Sequence, residues 1–511
     1  MAMLLELSHE LLHCIFVDVE PCDIAALSST CRAFHDYIRD NRLLHRELYL
    51  RRYDEFEHDK RTNWEQQLHD RYQMERLLQT TDAATKRENL DFVATQVSKM
   101  MESAHCDFEQ SKNLQMLSTA FKERQDNLNV FLCSSSLFHN KRAGDGTNHI
   151  PADNASTRQA SAKLHCLYGV PIDTAPRRPI HSLMQPDLTI GPSGSTRSQV
   201  LGRQPVTHPW ARSRVYDLRE YTPSTLWGPF KADGSHQVDW EKVEAIMIAL
   251  GHNIRRYQGR EDSPVHGLWT EPFRGASPGS FHDPTPPATS PSAPTPHHEE
   301  ALDAEDAEVF KIRELALKLD AMDPYGVTGT WMRVVCFLDY NDLYTYNFNV
   351  HGLPADDESR GPVSTDEAIR LIRIKLQVVR VEPPDSVLNA DDEWAHDDDE
   401  NPLPDWSNFK GERLPVVHFC GKSWSLHASF DPNANSRIRG TVRQTPEGEI
   451  RWTTFSIFHG EERWRSEGIQ VGGIRSERGV LGNWFDKNYD IHGPAGPTAF
   501  WKESDNVRRR G

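Results

Sequence analysis

Seven tryptophan and arginine residues toward the C-terminal end of the chain have the side chains best suited to hold another protein. Trp and Arg dominate the energetic hot spots of protein interfaces, because they combine a large apolar or planar surface with hydrogen-bond donors. These residues are Trp331, Arg333, Arg439, Arg451, Trp452, Trp464 and Arg465. We predict that they contribute to a partner-binding surface, although about half of such side chains point inward in a closed β-barrel and fill it.

Catalytic chemistry has no comparable signal in the sequence. A Gly-x-Ser-x-Gly elbow, a glycine-rich phosphate loop and a His-Glu-x-x-His helix are all missing from it. His418 and Cys420 lie two apart on a predicted strand and therefore on one face, which suggests a thiol site, but packing is the more common role. The eight cysteines include no Cys-x-x-Cys pair. We therefore expect a protein that is not an enzyme and uses no cofactor or metal.

The composition narrows the class of protein and partner. Hydrophobic residues make up 37% of the 511 residues, so we expect part of the length to be disordered. The net charge of −17 argues against sequence-independent nucleic-acid binding, which needs a basic face. The chain has neither an apolar run of the ~20 residues that a membrane helix needs nor a secretory signal pattern. We expect a location in the cytoplasm, the nucleus or both.

The first forty residues carry the strongest structural pattern. Apolar residues recur at helical spacing from Leu7 to Phe16 and again from Ile24 to Ile38. Ser8 is a predicted cap for the first helix, Pro21 a predicted break, and Asp23 a predicted cap for the second helix. Such short helices bury little surface among themselves, so part of their apolar surface must contact a partner.

This pattern resembles the F-box, the helical motif by which substrate receptors of cullin-type ubiquitin ligases dock on the Skp adaptor. The matching order is Leu-x-x-Glu-Leu-Leu-x-x-Ile-Phe from Leu7, Pro21 and Asp23 at the turn, then Leu27, Cys31-Arg32 and an aromatic. Ser8 stands where the family usually has proline. The resemblance implies an adaptor-binding set of Leu7, Leu11, Leu12, Ile15, Phe16, Pro21, Leu27, Cys31, Arg32 and Phe34. The alternative is an ordinary N-terminal helical hairpin.

Helical and strand-like patterns occupy different parts of the remaining chain, so we predict an α+β multidomain protein. Apolar stripes at helical spacing continue to Phe138, and strand-like segments separated by turns dominate after about residue 325, which favours an antiparallel barrel. A Pro- and Ser-rich stretch from Ser277 to Glu300 is predicted to be disordered and cut first by proteases. The predicted organisation is an F-box at 1–50, a helical linker at 51–138, an irregular segment at 139–204, a strand–helix region packing on the barrel at 205–270, a disordered linker at 271–308, and a β-barrel-like substrate-binding domain at 309–505.

A second resemblance covers most of the other ordered residues. Segments such as Leu226–Phe230, Gly329–Val335 and Glu461–Gly468 are similar to the C-terminal region of a fungal family of F-box proteins. A weaker likeness is to animal F-box proteins whose C-terminal barrel binds substrate. Gly329-Thr330-Trp331 also resembles the opening strand of lipocalin-like barrels, where a Trp closes one end.

Two functions remain open on this basis. In the first, the chain is the substrate receptor of a Skp–cullin–F-box (SCF) ubiquitin ligase, with the F-box on Skp and the seven Trp and Arg residues holding a protein substrate. In the second, the barrel is a lipocalin-like small-molecule binder or a vestigial enzyme, and the F-box only controls its turnover. An apolar cavity would favour the second, and an open groove or a basic and aromatic end would favour the first.

Overall fold

A computed structural model gives the fold of the 511-residue chain. It forms two compact units, Met1–Leu132 and Cys133–Gly511. The structure describes residues 7–56, 62–105, 107–138, 151–170, 207–257, 265, 268–269, 271–276, 314–349, 353–355, 358–384, 413–426, 435–490 and 492–505. The predicted disordered stretch from Ser277 to Glu300 lies outside the described residues.

The described residues of the first unit form helices joined by short turns. Its helices are α1 (His9–Val17), α2 (Pro21–Ser28), α3 (Arg32–Ile38), α4 (Arg42–Arg52), α5 (Trp64–Gln79), α6 (Ala83–Glu88), α7 (Leu90–Glu102), α8 (Lys112–Lys122) and α9 (Gln125–Asn127), followed by a π-helical turn, Leu128–Leu132. The predicted apolar faces after the first forty residues are buried, including Trp64, Leu68, Val93 and Val97.

Two predicted caps at the start of this unit differ from the structure. Ser8 has the extended backbone of an N-cap, but its side chain makes no capping hydrogen bond. Pro21 begins α2 rather than breaking the chain, and Asp23 lies in the first turn instead of capping the helix. The reason is that proline is well suited to the first helical position, where its missing N–H costs no hydrogen bond and its φ is already helical.

The second unit begins with helices that the sequence pattern indicates only in part. They are a 3₁₀ turn at Ser136–Phe138, α10 (Ala155–Tyr168), α11 (Thr207–Val215), a 3₁₀ turn at Leu218–Glu220 and α12 (Trp240–Tyr257). Helix α10 lies in the stretch predicted to be irregular. Small residues such as Ser161 and Ala162 fill its buried face, so the large apolar residues that define a helical pattern are few. No helix among the described residues is long and apolar enough to cross a membrane.

Two further predictions in this region are wrong in detail. The predicted strand at 214–218 is instead the end of α11 and a 3₁₀ turn. Asp239 does accept a hydrogen bond from the Lys242 backbone N–H, as a cap should, but α12 continues past Gly251 to Tyr257. A single glycine costs a helix only about 1 kcal/mol, and the buried apolar face of α12 outweighs it.

The rest of the second unit is a closed eight-stranded antiparallel barrel, which confirms the predicted fold class. Its strands are β1 (Gly329–Leu338), β2 (Glu367–Glu382), β3 (Val416–Ser425), β4 (Ser436–Gln444), β5 (Ile450–Phe458), β6 (Glu461–Gln470), β7 (Val480–Asp486) and β8 (Ala495–Ser504). Each strand pairs with the next, and β8 pairs with β1, so the barrel has no open sheet edge. A helix, α13 (Tyr340–Phe348), follows β1, and residues 314–321 precede the barrel as a helix.

The interior of the barrel divides into an apolar end and a polar end. Near the start of β1, inward side chains join one hydrophobic cluster with Leu319, Tyr325 and Val327 from the segment before the barrel. Toward the end of β1, the inward positions of the facing strands carry hydroxyl side chains, among them Ser423, Ser436, Thr454, Ser456, Ser466 and Thr498. Helix α12 packs against β7 and β8 from outside.

Candidate binding surfaces

The N-terminal helices bury part of the predicted adaptor-binding set in their own core. The Phe16 and Phe34 rings meet edge to face with centroids 5.3 Å apart. Leu12, Phe16 and Phe34 are all buried. These three side chains therefore stabilise the helices and are not accessible to a partner, which corrects their assignment as contact residues.

Leu11 and Ile15 lie on the outer surface of the same helix. They are 54% and 41% exposed, and their spacing of four residues puts them on one face of α1. The other contacts of α1 fix its orientation: His13 hydrogen-bonds Glu47 of α4 at 3.0 Å, and Tyr37 donates to the His9 carbonyl at 3.1 Å. The result is an oriented apolar face directed to solvent.

The remaining members of the adaptor-binding set lie at or near the ends of α1, α2 and α3. Leu7, Pro21, Leu27 and Cys31 are half-buried, which leaves part of each side chain accessible. Arg32 is almost fully exposed, with its nearest carboxylate, Asp36, at 3.7 Å. These residues can contact a partner without any rearrangement of the helices.

In the barrel, two of the seven predicted Trp and Arg residues belong to the core. Trp331 and Trp452 are buried with ring centroids 5.1 Å apart, and Phe419 and Phe500 pack against Trp452. The Trp331 indole donates to the Val327 carbonyl at 2.9 Å. Both tryptophans fill the apolar end of the barrel, as the resemblance to lipocalin-like barrels implies for Trp331. Their assignment as substrate-binding residues is therefore wrong.

Arg439, Arg451 and Arg465 lie on the outer face of the barrel in ion pairs. Arg451 and Arg465 both bind the buried carboxylate of Glu467, at 2.9 and 2.6 Å. Burial opposes the charge on Glu467, but the two guanidinium groups lower its pKa overall. Arg439 pairs with Glu462 and lies over the Phe455 ring.

The segment Leu226–Phe230 covers this ion-paired face of the barrel. The Trp227 ring stacks on Tyr489 at 3.9 Å, and the Arg451 guanidinium lies 5.1 Å from the centre of the Phe230 ring. A side chain on Gly228 would meet the Glu467 Cβ at 2.6 Å. This close fit makes the outer arginines part of the packing, so most of their surface is not available to a partner.

Arg333 is the unusual charge of the barrel. Its side chain points inward and is only 5% exposed, and it donates to Thr498 Oγ1 at 3.0 Å and to Ser466 Oγ at 3.1 Å. Among the described residues no carboxylate forms an ion pair with it. Burial consequently lowers the pKa of the guanidinium to about 10. A buried charge with neutral partners alone is costly, so Arg333 is a candidate to receive an anionic or strongly polar group.

Trp464 belongs to an aromatic rim, defined here as Phe337, Trp464 and Trp484, at the polar end of the barrel. Trp464 and Trp484 meet edge to face at 5.3 Å, and Phe337 is 6.4 Å from Trp484. All three are half-buried. Phe337 lies four positions after Arg333 on β1, a rise of about 13 Å. The polar end therefore combines aromatic surface at its rim with hydroxyl groups and one cation below.

The His418 and Cys420 pair does not form an activated thiol. His418 lies 3.2 Å from Glu382, and burial lowers the pKa of its ring. Burial also raises the pKa of the Cys420 thiol. A reactive cysteine needs a lowered pKa, so this geometry favours packing.

Comparison with known families identifies only the N-terminal part of the chain. A family model described as F-box-like matches residues 7–51. No curated protein and no solved structure matches the chain. Residues 7–51, which include α1 to α3 and most of α4, are therefore an F-box-like domain, and the protein joins this domain to a closed eight-stranded antiparallel barrel.

Proposed function

We propose that this protein is the substrate-recognition subunit of an SCF ubiquitin ligase. The observation that carries the proposal is the exposed pair Leu11 and Ile15 on a fixed helix of an F-box-like domain. F-box-like domains generally bind Skp-type adaptors, and apolar side chains of this size stabilise a protein complex when they are buried in it. The adaptor in turn would connect the chain to the cullin, in the cytoplasm or the nucleus.

The barrel would hold the protein substrate at its polar end. The aromatic rim provides apolar area that needs little ordering on binding, since aromatic side chains have few rotatable bonds. Arg333 and the hydroxyl groups below the rim would bind a polar or anionic group of the substrate, whose charge would compensate the buried guanidinium. Strands also position these side chains more firmly than loops could.

The chain itself would perform no chemistry in this role, because other subunits of the ligase carry out ubiquitin transfer. The lipocalin-like alternative has weaker support. Trp331, Phe419, Trp452 and Phe500 fill the apolar end of the barrel with side chains, whereas a lipocalin-type binder keeps a large apolar cavity there.

Affinity purification of the full chain with two separate double variants tests both halves of the proposal. Leu11→Ala with Ile15→Ala should lose Skp and cullin while retaining the other bound proteins. Arg333→Met with Trp464→Ala should retain Skp and lose those proteins. The proteins lost in the second case should be ubiquitinated by a reconstituted ligase containing the unmodified chain. Loss of the same proteins in both variants, or their retention in both, would contradict this division of roles.

A further inference from the structure

Arg370 is a second arginine that points into the polar end of the barrel. On β2, Ile374 and Leu376 belong to the hydrophobic cluster inside the barrel. Ile372 and Arg370 continue the same alternation toward the aromatic rim, so they also point inward. In the register of β1 and β2, Arg333 is paired with Ile372. Arg333 and Arg370 therefore lie on successive inward layers, with Arg370 nearer the mouth of the barrel.

The interior is open to solvent at the level of Arg370. Ile372 packs on the hydrophobic cluster and is only half-buried, and Arg370 itself is exposed although it points inward. Its guanidinium lies 5.3 Å from the centre of the Phe337 ring, and among the described residues no carboxylate forms an ion pair with it. Asp486, on the β7 side of the mouth, is three strands away, and its carboxylate accepts the Asn488 backbone N–H at 2.8 Å. Arg370 is therefore accessible to a ligand that enters the barrel.

The spacing of the two arginines indicates the form of this ligand. Arg370 is paired with Val335, two residues after Arg333 on β1, which is a rise of about 6.6 Å. Alternate residues of an extended peptide have the same separation and point to the same side. Carboxylates at two such positions would each meet one guanidinium, and the planar fork of arginine matches the two oxygens of a carboxylate. A single acidic side chain would satisfy only one of the two cations.

We infer that Arg370 is a specificity-determining residue of the substrate site, and that the segment held there carries two acidic residues separated by one residue. The inference rests on the proposed function, because the substrate must enter the polar end. The deeper acidic group would bind Arg333, and the outer one would bind Arg370. The net charge of −17 repels an acidic segment at long range, but salt screens charges more than about 8 Å apart. Recognition would therefore depend on these two local cations.

Selection from a library of randomised peptides tests the inference with the full chain. We expect the bound peptides to be enriched at least tenfold in pairs of Asp or Glu separated by one residue, because charge-assisted hydrogen bonds are strong. Arg370→Glu should reverse the preference at one of the two positions, where Lys or Arg should replace the acidic residue, and keep the preference at the other. Arg370→Lys should retain the acidic residue at both. A residue with a merely structural role would not produce such a reversal.

Lys422→Gln is the matched control, because Lys422 is also an exposed cation without an ion pair to a described residue, but it points to the outer face of β3. It should select the same peptides as the unmodified chain. Selected peptides that depend on Trp464 but contain no acidic pair would overturn the inference and leave the substrate site in place, as would an acidic pair that survives Arg370→Glu. Peptides that bind equally well to Arg333→Met with Trp464→Ala would contradict the substrate site itself, and the inference with it.

Discussion

Glu467 accepts two hydrogen bonds from Arg465 on the same face of β6, at 2.9 and 2.6 Å, and both side chains are buried. Thr453 and Arg451 of β5 supply two further donors to the other carboxylate oxygen, each at 2.9 Å. A single buried carboxylate thus organises two arginines and a hydroxyl across two strands. Buried ion pairs of this kind add little net stability over apolar packing, but removing one partner leaves the others uncompensated.

Replacing Glu467 with Gln should therefore destabilise the barrel strongly. We expect a loss of about 3–5 kcal/mol in the free energy of unfolding, because the buried guanidinium of Arg465 and the half-buried one of Arg451 lose their counter-charge. Urea denaturation followed by tryptophan fluorescence measures this change. Glu461→Gln is the control: Glu461 is exposed on the same strand, so its change should stay within about 0.5 kcal/mol. Equal effects of the two variants would contradict the role of Glu467.

The same carboxylate should make stability depend on pH in the acid range. The folded pKa of Glu467 lies below the ordinary 4.5, because attraction by Arg451 and Arg465 outweighs the effect of burial. Its contribution to stability is therefore complete above pH 4.5 and is lost as the pH falls through the folded pKa. The difference in unfolding free energy between the unmodified chain and Glu467→Gln should be constant near neutrality and shrink below about pH 4.5. A difference in unfolding free energy that grows as the pH falls would contradict a lowered pKa for Glu467.

The close approach of β6 and β7 gives a second stability test. Gly468 and Gly482 face each other across these strands, and a Cβ on Gly482 would lie 2.6 Å from the Gly468 Cα and 2.0 Å from the Glu467 carbonyl oxygen. Backbone cannot yield as a side-chain end can, so Gly482→Ala should cost at least about 2 kcal/mol, in the range of overpacked cores. Gly361→Ala is the control, since nothing lies within 4 Å of that added atom. Thermal unfolding of the two variants measures the change in stability that each substitution causes. Equal changes would contradict the close approach of β6 and β7.

Apolar periods, ion pairs and glycines explain which helices and strands can be predicted from the sequence. Helix α1 and strands β1 to β5 follow clear apolar periods, and Pro446-Glu447-Gly448 forms the predicted hairpin turn, with Gly448 at a φ of 91°. The sequence pattern does not indicate β6 to β8 as strands. In β6 the inward positions after Trp464 carry Ser466, Gly468 and Gln470, so the usual apolar–polar alternation is missing, while β7 and β8 contain the glycines needed for close approach.

The binding residues were harder to predict than the fold. Trp331 and Trp464 are the same residue type on strands of the same barrel, yet one is buried in the core and the other lies at the rim. Their position along the strand decides this, and a register shift between Ser456 and Ile457 changes the pairing next to Trp464. Residue type alone contains no such information. The sequence does not single out Trp484 and Phe337 for the same reason, because they form a rim with Trp464 only when β1, β6 and β7 are adjacent.

Docking on the adaptor should depend on the exposed face of α1. Replacing Leu11 and Ile15 with Ala should cost about 2–5 kcal/mol for each side chain that the complex buries, so binding to Skp should weaken at least tenfold. Surface plasmon resonance with the full chain measures the affinity. Tyr340→Ala removes an apolar side chain that is also exposed but lies in the other unit, and it should leave the affinity unchanged. Unaltered Skp binding by a well-folded double variant would contradict the proposed docking face.

The last prediction separates function from stability at Arg333. Its two partners keep other hydrogen bonds without it, because Thr498 donates to the Val334 carbonyl at 2.9 Å and Ser466 bonds Thr454. Arg333→Met would therefore leave no orphaned hydroxyl and would replace an uncompensated buried cation with an apolar chain of similar length. Such replacements are often neutral or stabilising by about 1–4 kcal/mol.

We accordingly expect Arg333→Met to keep or raise the unfolding free energy while weakening substrate capture at least tenfold. Urea denaturation and pull-down of the proteins bound by the unmodified chain measure the two effects on one preparation. If Arg333→Met loses both its stability and its capture of substrate, the role of Arg333 is structural. If Arg333→Met keeps its stability and still captures the substrate, the substrate binds elsewhere on the barrel. Only the combination of a stable fold and lost capture fits a buried cation that is retained for the ligand it binds, because a charge of this kind has no other compensation in the described interior.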